Sequence, residues 1–221
     1  MQRFNCLSAG VATAVLLTIL CLGNALAQDQ QKPKEAAKPK ADGARPEEPE
    51  AEVQLSVGDA APTLRVEKFI KGTPVGEFKP GHVYVVEFWA TWCGPCRASM
   101  PYLTGLQKKF KDKATFVGIN IAEKEYGPET LKKVEDFVKK NDKNMGYTVA
   151  FDGAKKEMDK AYMQAADQLG IPCAFVITGD GKIAYIGYPD EEKLEALIQQ
   201  VIDSKFDMKA AVAAAKAESF S

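Results

Sequence analysis

Cys93 and Cys96 stand two residues apart in Trp92-Cys93-Gly94-Pro95-Cys96, and no other side chains here are as well placed for covalent chemistry. The spacing alone fits a redox dithiol, a structural disulfide or half of a zinc site. The metal use fits poorly. The sequence has no second pair at this spacing, and His82 is its single histidine. The redox use has a rationale in where the pair sits. Val83 to Trp89 is a nearly continuous apolar, β-branched and aromatic run, which predicts a strand buried on both faces. The cysteines follow it, where a helix begins. A helix N-terminus offers unpaired N–H groups and a partial positive charge, which stabilise a thiolate. Thiolate is the attacking form, so Cys93, expected to be exposed at the helix edge, is the candidate nucleophile. Cys96 lies one turn on and is the candidate resolving thiol, which attacks Cys93 to close a disulfide. Pro95 suits a first turn, where its missing N–H costs nothing.

Three further residues carry chemistry that needs weighing. Glu87 lies inside the apolar strand, and a buried carboxylate is costly unless paired or neutral. Its functional reading is a proton acceptor for Cys96 with a raised pKa. Its structural reading is a long side chain that reaches solvent or a wet crevice. Cys173 opens a later apolar strand and reads as a packed thiol rather than a third redox group. His82, in the Pro80-Gly81-His82 turn, is expected to be solvent-exposed and without a role.

The elements around these residues follow from periodicity and turn signals. Leu64 to Ile70 and Val75 to Phe78 are expected to form a hairpin around Lys71-Gly72-Thr73. A helix with Leu103, Leu106 and Phe110 inward follows the cysteines, kinked at Pro101. Thr115 to Ile121 is the next strand. Pro128 opens a helix with Leu131, Val134, Phe137 and Val138 inward. Tyr147 to Phe151 is a short strand. Met158, Ala161, Tyr162, Ala165 and Leu169 mark another helix face. Ala174 to Thr178 and Lys182 to Ile186 flank Gly179-Asp180-Gly181, a hairpin signal. Asp190 caps a helix carrying Leu194, Leu197, Ile198, Val201 and Ile202. Strand–helix alternation implies a parallel core sheet, and the late hairpin adds an antiparallel edge.

The ends of the chain read differently. Arg3, the apolar stretch from Leu7 to Leu22 and Ala25-Leu26-Ala27 form a secretory signal, residues 1–27, with the mature chain starting at Gln28. Its removal takes away Cys6 and Cys21 and leaves one cysteine pair plus one thiol. An exported chain meets an oxidising compartment, where such a pair is rarely idle. Residues 28–54 are rich in Pro, Lys, Glu and Ala and are expected to be a disordered linker. Residues 207–221 are an Ala-rich tail, expected to extend the last helix. The net charge of −1 over 221 residues gives no strong field for nucleic acid or anionic membrane.

Val85-Val86-Glu87-Phe88-Trp89-Ala90-Thr91-Trp92-Cys93-Gly94-Pro95-Cys96-Arg97 resembles the active-site segment of thioredoxins, especially their exported TlpA/ResA-like branch. Val57-Gly58-Asp59-Ala60-Ala61-Pro62 resembles that branch's domain entry, Gly170-Ile171-Pro172 its cis-proline loop, and Gly181-Lys182-Ile183 with Gly187 its closing hairpin. Pro101 matches the helix-kink proline, and the helix opened by Pro128 matches the branch's insert. The likeness spans residues 55–206. It implies an α/β thioredoxin fold: a central mixed sheet flanked by helices, with an N-terminal hairpin and a helical insert. It further implies that Cys93 attacks and Cys96 resolves, that Trp92 is a flat apolar contact, and that Pro172 is cis, so that the Ile171 backbone pairs with an extended client. Glu87 falls where thioredoxins carry a buried aspartate. Their lysine partner corresponds here to Gly118, so desolvation should dominate at Glu87. The Gly-Pro dipeptide resembles that of strongly reducing thioredoxins, at about −270 mV.

The expected function is therefore an extracytoplasmic thiol–disulfide oxidoreductase, secreted or periplasmic, that reduces protein disulfides. The expected partners are disulfide-bearing client proteins and a membrane thiol donor. No nucleic acid, metal or cofactor is expected, and the chain should be a monomer. A peroxiredoxin-type peroxidase shares the fold, but Thr91-Trp92-Cys93-Gly94-Pro95-Cys96 does not fit its motif. A metal-delivery module uses a wider cysteine pair and a distant histidine, and neither is in the sequence.

Overall fold

The computed structural model describes residues 54–218. The expected secretory signal and all of the expected linker but Gln54 lie outside the described residues. Six strands form one mixed sheet: β1 (Lys68–Lys71), β2 (Val83–Trp89), β3 (Ala114–Asn120), β4 (Thr148–Phe151), β5 (Cys173–Ile177) and β6 (Ile183–Gly187). Their order is β1-β4-β3-β2-β5-β6. β2, β3 and β4 run parallel, and β1, β5 and β6 pair antiparallel to their neighbours. The α-helices are α1 (Gly94–Phe110), α2 (Pro128–Lys140), α3 (Glu191–Ile202) and α4 (Met208–Glu218).

The central strand β2 is buried along its whole length, as its unbroken apolar run requires. Successive side chains point to opposite faces and so sort into two cores. Val83, Val85 and Trp89 face Met100, Leu103 and Phe110 of α1, with Val134 and Val138 of α2 and Leu194 and Ile198 of α3. Tyr84, Val86 and Phe88 face the opposite core, with Met158, Tyr162, Phe175 and Ile177. Glu87 follows the odd-numbered set onto the α1 side. The helix starts match their sequence signals. Pro95 lies in the first turn of α1, Pro128 in that of α2, and the Asp190 carboxylate accepts the Lys193 N–H at 3.0 Å to cap α3.

Four expectations need correction. The hairpin at residues 64–78 does not form. Only Lys68–Lys71 is strand, and it pairs with β4, Lys68 opposite Phe151. A two-stranded hairpin is marginal by itself, whereas the open edge of β4 offers a ready ladder. Met158 and Tyr162 are buried as expected, but the helix is a π-helical turn over Asp159–Gln164 and Leu169 is 97% exposed. The Ala165 and Gln168 N–H groups reach back five residues, to Lys160 and Met163, and Asp167 at φ 52° ends the run before Leu169 can turn inward. The tail does not extend α3. Ser204, at φ 55°, breaks the chain direction, and α4 packs on β6 as a separate helix. His82 is half-buried, its Nε2 2.9 Å from Thr115 Oγ1 and its ring edge-on to Tyr84. The parallel register that sets Tyr84 opposite Thr115 brings it there.

Phe175 is fully buried and meets Phe88 and Tyr162 edge-to-face, with ring centroids 5.6 and 5.0 Å away. Phe175→Ala should cost about 3–5 kcal/mol of stability, read from urea unfolding midpoints. A loss below about 1 kcal/mol would mean that this face of the sheet can collapse around the missing ring.

Candidate active site

The chain leaves β2 and enters α1 through one tight turn. The Cys93 N–H donates to the Ala90 carbonyl at 3.1 Å, with Thr91 and Trp92 at the turn's centre. Cys93 is the N-cap of α1, in extended conformation, and its Sγ accepts the Cys96 N–H at 3.1 Å. A sulfur thus occupies the place where Ser or Asp usually caps a helix, and it lies at the positive end of the helix dipole. Cys93 and Cys96 form a disulfide with a Cα–Cα distance of 5.3 Å. An anionic sulfur at Cys93 would keep the same amide donor, strengthened by its charge.

Cys93 is not exposed, contrary to expectation: it is 2% accessible and Cys96 is fully buried. The Ile171 carbonyl lies 3.7 Å from Cys93 Sγ, and the Ile171–Pro172 peptide is cis, as the resemblance implied. Trp92 takes the exposed place instead. The residue is 53% accessible, and its indole N–H donates to the Ala122 carbonyl at 2.9 Å. The sulfur pair is therefore buried, with the Ile171 carbonyl beside Cys93 and Trp92 exposed next to it in the chain.

Glu87 is 2% exposed, and neither carboxylate oxygen has a hydrogen-bond partner in the protein. This removes the reading in which it reaches solvent. Burial alone pushes its carboxyl up to about 8. It pairs across the sheet with Gly118 on β3 and Ala174 on β5. A Cβ added at Gly118 would lie 2.8 Å from Tyr147 Cε2, 3.3 Å from Trp89 Nε1 and 3.4 Å from Glu87 Oε2. A longer side chain has no room there. The Trp89 indole N–H and Tyr147 hydroxyl are also buried without a protein partner. Three unpaired polar groups thus surround one glycine. Sequence reading identified only Glu87 among them, since Tyr147 arrives from the start of β4, two strands away from β2.

Cys173 belongs to the other core, with Phe88 and Phe175, away from the α1 side. Burial pushes its thiol up to about 12, so it stays protonated at neutral pH. That is the packed thiol expected. Among the described residues no three His, Cys, Asp or Glu side chains cluster closely enough to hold a metal.

Glu123 was missed. It sits in the loop after β3, where the sequence offers no signal beyond an acidic residue near Lys124 and Glu125. Its Oε1 accepts the Thr91 N–H at 2.7 Å and the Asn120 amide at 3.0 Å. Its Oε2 accepts the Thr91 hydroxyl at 2.9 Å and Lys133 Nζ of α2 at 3.0 Å. Burial pushes this carboxyl up, but those four hydrogen bonds together outweigh it and hold it below the usual range.

Comparison with known proteins places these features in context. The redoxin family matches residues 56–202. Protein FixW of Rhizobium leguminosarum is 32% identical over 154 residues, covering 69% of this chain and 68% of its own. The thiol-disulfide oxidoreductase ResA of Bacillus cereus is 31% identical over 152 residues, covering 67% and 80% respectively. A solved thiol:disulfide interchange protein of the thioredoxin family, from Chlorobium tepidum, superposes with a TM-score of 0.53 at 28% identity, covering 66% of this chain and 98% of that one. With its mixed sheet, its N-capping Cys93 and its Cys93–Cys96 disulfide, the chain belongs to the redoxin family, as a TlpA/ResA-like thiol–disulfide oxidoreductase of the thioredoxin superfamily.

Proposed function

We propose that this protein reduces disulfides in client proteins outside the cytoplasm. The observation that carries the reading is the Cys93 sulfur at the helix N-terminus, accepting the Cys96 N–H, with its disulfide partner one turn away. In the reduced enzyme, Cys93 thiolate attacks one sulfur of a client disulfide. The client S–S bond breaks, its second sulfur leaves as thiolate, and a Cys93–client disulfide forms. Cys96 then gives its proton to Glu87 and attacks Cys93 Sγ. The client's remaining sulfur leaves as thiolate. Two electrons have passed to the client, and the enzyme holds the Cys93–Cys96 disulfide. A membrane thiol donor restores the dithiol.

Glu87 suits the proton step because its carboxyl, at about 8, is ionised in roughly one molecule in ten at pH 7. It can therefore accept a proton in one direction of exchange and return it in the other. Trp92 offers the client a flat apolar face, and the Ile171 backbone beside Pro172 offers main-chain hydrogen bonds to an extended segment. Residues 1–27 direct export to the periplasm or beyond, residues 28–54 act as a spacer, and the enzyme works as a monomer.

With dithiothreitol as donor, the protein should accelerate insulin disulfide reduction, and Cys93→Ser should abolish the effect. Cys96→Ser should accumulate a mixed disulfide visible by mass spectrometry. Efficient peroxide consumption with insulin left intact would overturn the reading.

Glu87→Gln should slow release of the mixed disulfide about tenfold or more in stopped-flow kinetics while leaving the first attack unchanged. An unaltered second step would reduce Glu87 to a structural group.

Glu87 should also tie stability to pH. Its folded pKa lies above its unfolded value, so the folded chain keeps a proton that the unfolded chain releases between pH 4.5 and about 8. Stability is full below that window and falls as pH rises through it. Glu87→Gln should flatten the fall and exceed wild type at pH 8 by on the order of a few kcal/mol. Parallel pH profiles for the two proteins would mean that the carboxyl titrates normally.

A further inference from the structure

The turn that delivers Cys93 is held from outside as well as from within. Its internal bond is the Cys93 N–H to the Ala90 carbonyl. Three further donors at its centre reach the loop after β3. The Thr91 N–H and hydroxyl both end on Glu123, and the Trp92 indole ends on the Ala122 carbonyl. Ala122 adopts φ 54°, a conformation rare outside glycine, which persists only where the surroundings enforce it. The Glu123 side chain is 1% accessible and forms an ion pair with Lys133 of α2. Thr91 and Lys133 also line one groove beside Trp92, together with Arg97, Phe137 and Lys140.

We propose that Glu123 is a positioning residue for Cys93: it fixes the turn that presents the sulfur, and through Lys133 it couples that turn to helix α2. The assignment rests on the reading that Cys93 is the nucleophile. Two effects follow from the geometry. The first is orientation. Two Thr91 donors and the Asn120 amide converge on one carboxylate, so deleting it leaves buried donors unpaired and frees the turn. The second is charge balance. The Glu123 anion disfavours a thiolate at Cys93, and the Lys133 ammonium offsets it. Other charges nearby are Arg97 and Lys140 in the groove, Asp136 paired with Lys132, and Glu87 beneath on β2.

The charge balance predicts shifts of opposite sign, which a general loosening of the loop would not produce. The experiment follows alkylation of Cys93 by iodoacetamide against pH in the reduced full chain, with mass spectrometry to localise the label. Lys133→Met leaves the anion uncompensated, so the alkylation midpoint should rise by about half a pH unit. Glu123→Gln keeps an acceptor for Thr91 and removes the charge, so the midpoint should fall by about as much. Glu123→Ala removes the anchor. At a pH above the midpoint, where ionisation no longer limits, its attack on a disulfide peptide should be about tenfold slower than wild type. Midpoints that stay in place or move together would overturn the assignment, as would Glu123→Ala attacking at the wild-type rate. If Glu123→Ala fails to fold, the other two variants decide. Retained insulin reduction by Cys93→Ser would instead remove the reading beneath, whatever the Glu123 variants do.

Discussion

The bond from the Cys96 amide to the Cys93 sulfur fixes where every other part of the site must lie. It requires a helix that starts at residue 94, hence a strand that stops at residue 89 and a turn of fixed length between them. β2 must be the central strand, because only a strand paired on both sides can end rigidly against a helix N-terminus. β3 on one side and β5 on the other then supply the two loops that frame the sulfur, residues 121–123 and 171–172. The capping contact links the covalent chemistry of one residue to the topology of the sheet.

That dependence explains what was legible in the sequence. β2, α1, α2, the β5–β6 hairpin and the α3 cap follow from apolar runs, turn residues and capping residues close together in the chain. The CxxC pair and its proline were readable for the same reason. Failures came where the deciding partner is distant. Lys68–Lys71 took the β4 edge, more than seventy residues away in the chain. The half-burial of His82 depends on Thr115, and the exposure of Leu169 on a π-helical turn whose wider hydrogen bonds leave no pattern in side-chain type. Glu123 is the extreme case: its four donors come from three residues, Thr91 in the turn, Asn120 on β3 and Lys133 on α2, and nothing beside it in sequence marks it. The burial of Cys93 escaped notice because Ile171 covers it from across the sheet.

The two buried carboxylates Glu87 and Glu123 show how surroundings set the proton affinity of one functional group. Glu87 has no partner, so desolvation acts on it alone and its proton affinity rises into the range where exchange at neutral pH is feasible. Glu123 has four donors, so it stays ionised and rigid. Gly118 contributes to the first outcome by what it lacks. Tyr147 and Trp89 crowd the space a side chain at that position would need, so no cation can reach Glu87 from β3. α2 contributes to the second, since Lys133 projects from it onto Glu123. Exchanging the environments would disable both groups. A paired Glu87 would be a poor base, and an unpaired Glu123 would become neutral and lose acceptor capacity for Thr91 and Lys133. A lone carboxylate in the core is unfavourable for stability, and the proton exchange assigned to Glu87 gives a physical reason for a carboxyl to stand there.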